Sequence, residues 1–178
     1  MLTLRPYQQA AIDAIYGYFA DNAGHPLVVI PTAGGKSLVM AAFIEGVLRA
    51  WPDQRILVVT HVRELIAQNH AELIGLWRDA PAGIFSAGLG RRDLGARILF
   101  AGIQSIHRRT LARLNPQIKV IGFTATPYRT GSGMLHEGKD ALFTDIAFEV
   151  SVRQLIDDGY LCPLVSKAAE TRLDVSGV

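Results

Sequence analysis

The sequence is poorest in cysteine: Cys162 stands alone among 178 residues, so no disulfide can close within the chain. With no Cys-x-x-Cys pair, the five histidines lack the thiolate partners of a structural zinc site. Long apolar runs are also missing. None approaches the roughly 18 residues that a membrane helix needs, and Met1 to Pro6 carries no charged-then-apolar leader pattern. A cytoplasmic protein with no membrane partner is the expectation. Internal repeats and low-complexity tracts are absent as well. Acidic residues are unevenly withheld: no Asp-Glu dipeptide occurs anywhere, and no acidic residue lies between Leu94 and His136.

What is present belongs to a folded α/β chain. Hydrophobic residues make up 49% and charged residues 19%, with 17 Gly and 8 Pro, which excludes disordered and fibrous classes. A domain holds roughly 100 to 200 residues, so one domain fits and two full α/β domains do not. The formal charge of +2 conceals a basic stretch. Arg91, Arg92, Arg97, Arg108, Arg109, Arg113, Lys119 and Arg129 face Asp93 alone, a distribution able to attract phosphate backbones or simply to form a solvated face.

Short apolar runs alternate with amphipathic ones, the pattern of a mostly parallel sheet flanked by helices. Strands are expected at Leu27–Ile30, Ile56–Thr60, Ile98–Ile103 and Val120–Thr124. Helices are expected after Pro6, where Tyr7, Ala11, Ile15 and Phe19 form one stripe, at Ser37–Ala50, at Arg63–Trp77, and as a short turn at Val152–Asp158. Pro127–Gly138 reads as a loop leaving the sheet, and Thr171–Val178 as an unfinished connection.

The most specific motif is Pro31-Thr32-Ala33-Gly34-Gly35-Lys36-Ser37, set between an apolar strand and an amphipathic helix. Glycines let backbone N–H groups surround a phosphate, Lys36 supplies a mobile cation, and the Ser37 hydroxyl suits Mg2+. Ile30 occupies the place of the first glycine in the full phosphate-loop pattern. Ala33 is costly if its position demands a positive φ, by about 1 kcal/mol or more.

Taken together, the blocks resemble the superfamily-two DEAD/DEAH-box helicases, most closely their RadD-type branch. Leu4-Arg5-Pro6-Tyr7-Gln8-Gln9 is similar to the family's Q-motif, which implies an adenine-reading role for Gln8 and Arg5. Thr32, Ala33, Gly34, Gly35, Lys36 and Ser37 fall in motif I, with Lys36 and Ser37 in the catalytic places and Ser37 on the Mg2+ of bound ATP. Thr60, His61 and Arg63, in a block running on to Gln68-Asn69-His70, resemble motif Ia. Gln104 and Ser105 fall in the Ib region, so these five residues inherit a nucleic-acid-binding role. Thr124, Ala125 and Thr126, followed by Pro127, resemble the coupling motif III. Singly, each short block has an ordinary alternative: Gln8 as a solvated helix residue, His61 or His70 as a packed imidazole, Thr124–Pro127 as a strand exit.

The resemblance implies a RecA-like P-loop domain at 1–150 and, at 151–178, the start of a connection to a second such domain that lies outside this chain. It also implies an Asp-Glu pair between the Ib region and motif III, because one carboxylate supports Mg2+ and the other activates water. That pair is absent, and His107–Gln117 is too short to hold its strand, so an internal deletion of one interior strand is expected. The implied function is an ATP- and DNA-binding helicase domain with hydrolysis impaired, its DNA single-stranded or branched rather than RNA, and a partner chain one source of the second domain. An inactive remnant or non-functional fragment is the alternative. A P-loop kinase would explain Lys36 and Ser37 and leave the other blocks unexplained.

Overall fold

The apolar runs become strands and the amphipathic runs helices in the computed structural model, which describes residues 3–106, 118–129, 133–139 and 141–163. The first helix, α1 (Pro6–Asp21), starts on a proline whose fixed φ suits a first turn. Its stripe of Tyr7, Ala11 and Ile15 is buried. Strand β1 (Pro26–Val29) is buried at every position and leads through the 31–35 turn into α2 (Lys36–Ala50). Then follow β2 (Ile56–Thr60), α3 (Arg63–Leu76), β3 (Ala82–Ser86), β4 (Arg91–Arg92) and β5 (Ile98–Gly102). The chain ends, as described, with β6 (Gly122–Thr124), β7 (Tyr128–Arg129), β8 (Gly133–Met134), β9 (Asp145–Glu149) and α4 (Val152–Asp157).

These strands form separate sheets. One is parallel in the order β6-β1-β9; another runs β2-β5-β3-β4, parallel except for the antiparallel edge strand β4; β7 and β8 make a small hairpin. Two hydrophobic clusters accompany the two larger sheets. Ala11, Ile15, Val28, Ile30 and Leu155 centre the first, and Ile66, Leu73, Ile84, Ile98 and Phe100 the second. Helix α2 serves both, with Val39 in the first cluster and Ala41, Ile44 and Leu48 in the second.

The division leaves two edges. Among the described residues β2 pairs only with β5, and β6 only with β1. Ile-Leu-Val-Val-Thr in β2 has the continuous apolar character of an interior strand, yet its residues are only half-buried and Val59 is 36% exposed.

Several sequence expectations need correction. The β1 strand stops at Val29, and the Ile30 N–H turns to the Thr124 carbonyl at 3.0 Å. Ile103 opens a 3-10 turn, Ile103–Ser105, so β5 ends at Gly102. Residues 120–121 precede β6, and α3 ends at Leu76, one residue short of Trp77. The 127–138 loop contains the β7–β8 hairpin, in which Gly133 of β8 has φ +77. Besides β7 and β8, three strands went unpredicted: β3 has little strand propensity in Ala82-Gly83, β4 is a pair of arginines, and β9 is bounded by Asp145 and Glu149. Arg108, Arg109, Arg113, the 107–117 segment and Thr171–Val178 lie outside the described residues. Within the described residues, no helix is long and apolar enough to cross a membrane.

Candidate functional site

The site residues gather where the parallel strands end at their C-termini, the place where an open α/β sheet offers loops and helix starts to ligands. From β1, the chain turns through Ala33 at φ +65 and Gly35 at φ +76 into α2. Ala33 is the one non-glycine residue with positive φ among those described, so its strain is real and amounts to about 1–2 kcal/mol. Gly34 is required sterically, while Gly35 is favoured by its positive φ. A Cβ on Gly34 would lie 2.5 Å from Ile30 Cγ2, and one on Gly35 2.5 Å from Gln8 Nε2.

Lys36 folds across this turn, its Nζ donating to the carbonyls of Ile30 at 2.9 Å and Pro31 at 3.1 Å. Partial burial lowers its pKa, because desolvation disfavours the ammonium form. The Ser37 hydroxyl donates to Asn69 Oδ1 of α3 at 2.8 Å. Thr32 and Ala33 are exposed on the rim, and Gly34 is buried.

Beneath the turn lies the start of α1. Tyr7 donates its hydroxyl to the Gly34 carbonyl at 2.8 Å, and Gln8 Nε2 reaches the same oxygen at 3.4 Å. Gln8 Oε1 accepts from the Arg5 N–H at 2.9 Å, so both ends of the amide are engaged, and the side chain is 3% exposed. This burial corrects the alternative of a solvated helix residue. Arg5 lies over the Tyr160 ring at 5.0 Å, and Tyr160 packs on Tyr7 at 5.3 Å between ring centres.

A second feature opens beside α3: a cleft of about 770 Å³. His61 and Arg63 line it after β2, Gln104 and Ser105 after β5, and Arg91 and Arg92 from the β4 edge. Gln104 Nε2 donates to the His61 carbonyl at 3.4 Å, and Ser105 Oγ accepts from the Ala87 N–H at 3.3 Å. Thr60 ends β2 opposite Gly102, and its Oγ1 accepts from the Val62 N–H at 3.4 Å. Arg91 pairs with Asp93 at 2.6 Å. Asp93 also accepts from the Ile84 N–H at 3.0 Å, and these contacts, the backbone one foremost, hold its carboxyl below the ordinary range. His70 meets Phe100 edge-on at 5.6 Å; burial first, then the charge of Arg91, lowers its pKa.

Thr124, Ala125 and Thr126 sit beside the phosphate-loop entrance rather than in the cleft. The Thr124 carbonyl holds the Ile30 N–H, while its hydroxyl donates to the Thr126 carbonyl at 2.7 Å and accepts from the Thr126 N–H at 3.1 Å. The structure therefore unites Arg5, Gln8, the 32–37 loop and Thr124 in one region, and His61, Arg63, Gln104 and Ser105 in another. Sequence reasoning missed Tyr7 and Asn69 as site residues. It noted Arg91 and Arg92 only as part of a basic stretch, though that stretch was the available signal. Among the described residues, no three His, Cys, Asp or Glu side chains gather as metal ligands.

Comparison with known proteins bears on the family and the fold. The family described as "Type III restriction enzyme, res subunit" matches residues 1–119. The "Putative ATP-dependent helicase IRC3" of Saccharomyces cerevisiae is 24% identical over 215 residues, covering 98% of this chain and 30% of that protein. Among solved structures, a nuclease-deletion mutant of the Type ISP restriction-modification enzyme LlaGI, in complex with a DNA substrate mimic, superposes with TM-score 0.69 at 14% identity. The match covers 89% of this chain and 21% of that one. The ATP-dependent Type ISP enzyme LlaBIII bound to DNA gives TM-score 0.63 at 14% identity, with 89% of this chain and 16% of its own covered. The chain thus spans under a third of each relative, and it has their RecA-like α/β fold. By the match across residues 1–119 and by its ordered motifs, the chain belongs to the Type III restriction enzyme res subunit family, within the superfamily-two helicases.

Proposed function

We propose that this chain is the ATP- and DNA-binding first RecA-like domain, residues 1–150, of a superfamily-two motor, and that its own ATP hydrolysis is impaired. The observation that carries the reading is that a phosphate loop and a basic cleft lie at the same C-terminal ends of the parallel strands, with α3 shared between them. Residues 151–178 begin the connection toward a second domain.

The 31–37 turn offers backbone N–H groups and the start of α2 to a triphosphate. Lys36 needs only to leave two carbonyls to reach a phosphate oxygen. The donor set suits Mg2+ carried by a nucleotide, which takes oxygen ligands and draws several of them from phosphates and water. Ser37 would hold it. When bound, Mg2+ neutralises phosphate charge. Gln8 and Arg5, fixed against Gly34 and Tyr160, frame the approach of the base from the α1 side.

DNA is the partner favoured for the cleft, since both solved neighbours carry DNA or its mimic. Arg63, Arg91 and Arg92 supply charge for phosphates, and His61, Gln104 and Ser105 supply polar contacts. A single strand or a branch suits loop-borne contacts at strand ends better than a helix seated in a groove.

Impaired hydrolysis rests on the missing Asp-Glu pair. Among the described residues the β2 and β6 edges are each paired on one side only, which fits the loss of one strand from between them. The IRC3 alignment, 215 residues long, exceeds this chain's 178, so part of it has no counterpart here. Without the carboxylates, the groups that support Mg2+ and activate the attacking water in this family are missing.

A thermal melt with and without Mg·ATP tests the nucleotide site. Ligand binding only the folded state adds about 2.7 kcal/mol at a hundredfold excess over Kd. The unsubstituted chain should gain a visible shift and Lys36→Ala should lose it; an unshifted melt in both refutes the reading.

A further inference from the structure

Asn69 lies in the block that resembles motif Ia but carries no role from it. It stands on α3, in the helix whose first turn brings Arg63 to the cleft, and its Oδ1 accepts the Ser37 hydroxyl at 2.8 Å. From the geometry we infer that Asn69 is a positioning residue for Mg2+ carried by the nucleotide, acting through Ser37. The inference rests on the nucleotide-binding reading above and deepens it.

A serine hydroxyl has one hydrogen and two lone pairs. With its hydrogen directed at an amide oxygen, Ser37 turns its lone pairs away from α3. It is also fixed in a single rotamer and becomes a better electron donor toward a cation. A free hydroxyl would spread over several staggered orientations, and some would point the hydrogen at the metal. Outer partners of this kind hold metal ligands in place, and their removal lowers metal affinity by about 10- to 100-fold. Asn69 has the chemistry for this. Its amide oxygen is a neutral acceptor, and it is half-buried, so water competes with the bond only in part. The neighbouring Lys36 does not compete, because its ammonium is directed to the carbonyls of Ile30 and Pro31. No Asp-Glu pair is present in the chain to take the hydrogen instead.

The test measures binding of a fluorescent N-methylanthraniloyl ATP to the full chain, with Mg2+ and with EDTA. Three proteins are compared: the unsubstituted chain, Asn69→Leu, which keeps the side-chain shape without an acceptor, and Asn69→Asp, which keeps the acceptor. The unsubstituted chain should bind in EDTA and tighten when Mg2+ is added. Asn69→Leu should keep the EDTA affinity and lose the tightening by about tenfold or more. Asn69→Asp should keep it or enlarge it. If Asn69→Leu retains the full Mg2+ gain, or loses affinity equally in EDTA, the positioning role is wrong while the nucleotide site stands. If Asn69→Leu does not fold, Asn69→Asp decides: a lost Mg2+ gain there overturns the role. An unsubstituted chain that binds in neither buffer overturns the nucleotide reading and this inference with it.

Discussion

The two sheets of this molecule hold their candidate site residues in different ways. Around β1, the site is built from backbone. Tyr7 and Gln8 both bond the Gly34 carbonyl, Lys36 bonds two more carbonyls, and Gly34 lies too close to a neighbour to tolerate a side chain. Around β5, the site is built from side chains at strand ends, on the β4 edge and on the first turn of α3, and Arg63, Arg91 and Arg92 are exposed. The first arrangement suits a ligand of fixed shape that demands close backbone approach. The second suits a polyanion bound by charge and tolerant of sequence. The difference also shows in burial: β1 is buried throughout, whereas β2, at the open edge of the second sheet, is half-exposed.

The largest expected effect is on the second core. Phe100 is buried in β5 between β2 and β3, so Phe100→Ala should cost about 3–5 kcal/mol. If the sheets melt as one unit, denaturant unfolding detected at Trp77, packed on this cluster, and by circular dichroism should shift together. Two separated transitions would show that α2 does not bind the halves into a single cooperative fold.

Next comes the cleft. Arg91→Ala combined with Arg92→Ala should weaken single-stranded DNA binding and lower the salt slope, by about 1 for each phosphate no longer neutralised. The Mg·ATP melt shift should stay unchanged. A slope equal to that of the unsubstituted chain would remove β4 from the interface.

A smaller effect follows from His70, whose folded pKa lies below the ordinary 6.5. Below 6.5 the unfolded chain takes up the proton first. Stability linked to His70 is therefore present above that pH and is lost as pH falls from 6.5 through the folded pKa. Asp93, also lowered, contributes in the same direction but only below its ordinary 3.8. His70→Gln should flatten the first limb of a stability–pH curve and leave the second. A curve unaltered between pH 6.5 and 5 would exclude His70 as the source.

The smallest effect is expected at Ala33. Ala33→Gly relieves about 1–2 kcal/mol of strain but adds about 0.4–1 kcal/mol of unfolded-state freedom. The melt should rise by a few degrees at most. A fall in the melt would mean that the positive φ at Ala33 costs little.

Much of the first region was legible because its chemistry is local. Glycines, lysine and serine in one heptapeptide, after an apolar strand and before an amphipathic helix, point to a phosphate loop rather than to an incidental glycine-rich turn. The strain at Ala33 was visible too, as a side chain in the turn that is costly wherever the backbone takes a positive φ. The β2 and β5 strands were found as unbroken apolar runs. What stayed hidden depends on distant pairing. β3 is held as a strand by β5 on one side and β4 on the other, not by Ala82 or Gly83. Arg91 and Arg92 reach the cleft because Gly90, at φ +62, lets the chain turn back antiparallel to β3. Asn69 meets Ser37 only when α3 packs on α2. The burial of Gln8 under the turn likewise depends on how α1 meets Gly34 and Gly35, residues distant from it in sequence.

On the proposed reading the nucleotide site persists while hydrolysis is impaired. Phosphate release from Mg·ATP, measured with and without single-stranded DNA and compared between the unsubstituted chain and Lys36→Ala, tests it most directly. The account predicts no release above the Lys36→Ala background in either condition, despite an ATP-dependent melt shift. Release that DNA stimulates and Lys36→Ala abolishes would contradict it, and would mean that a group other than an Asp-Glu pair activates water in this domain.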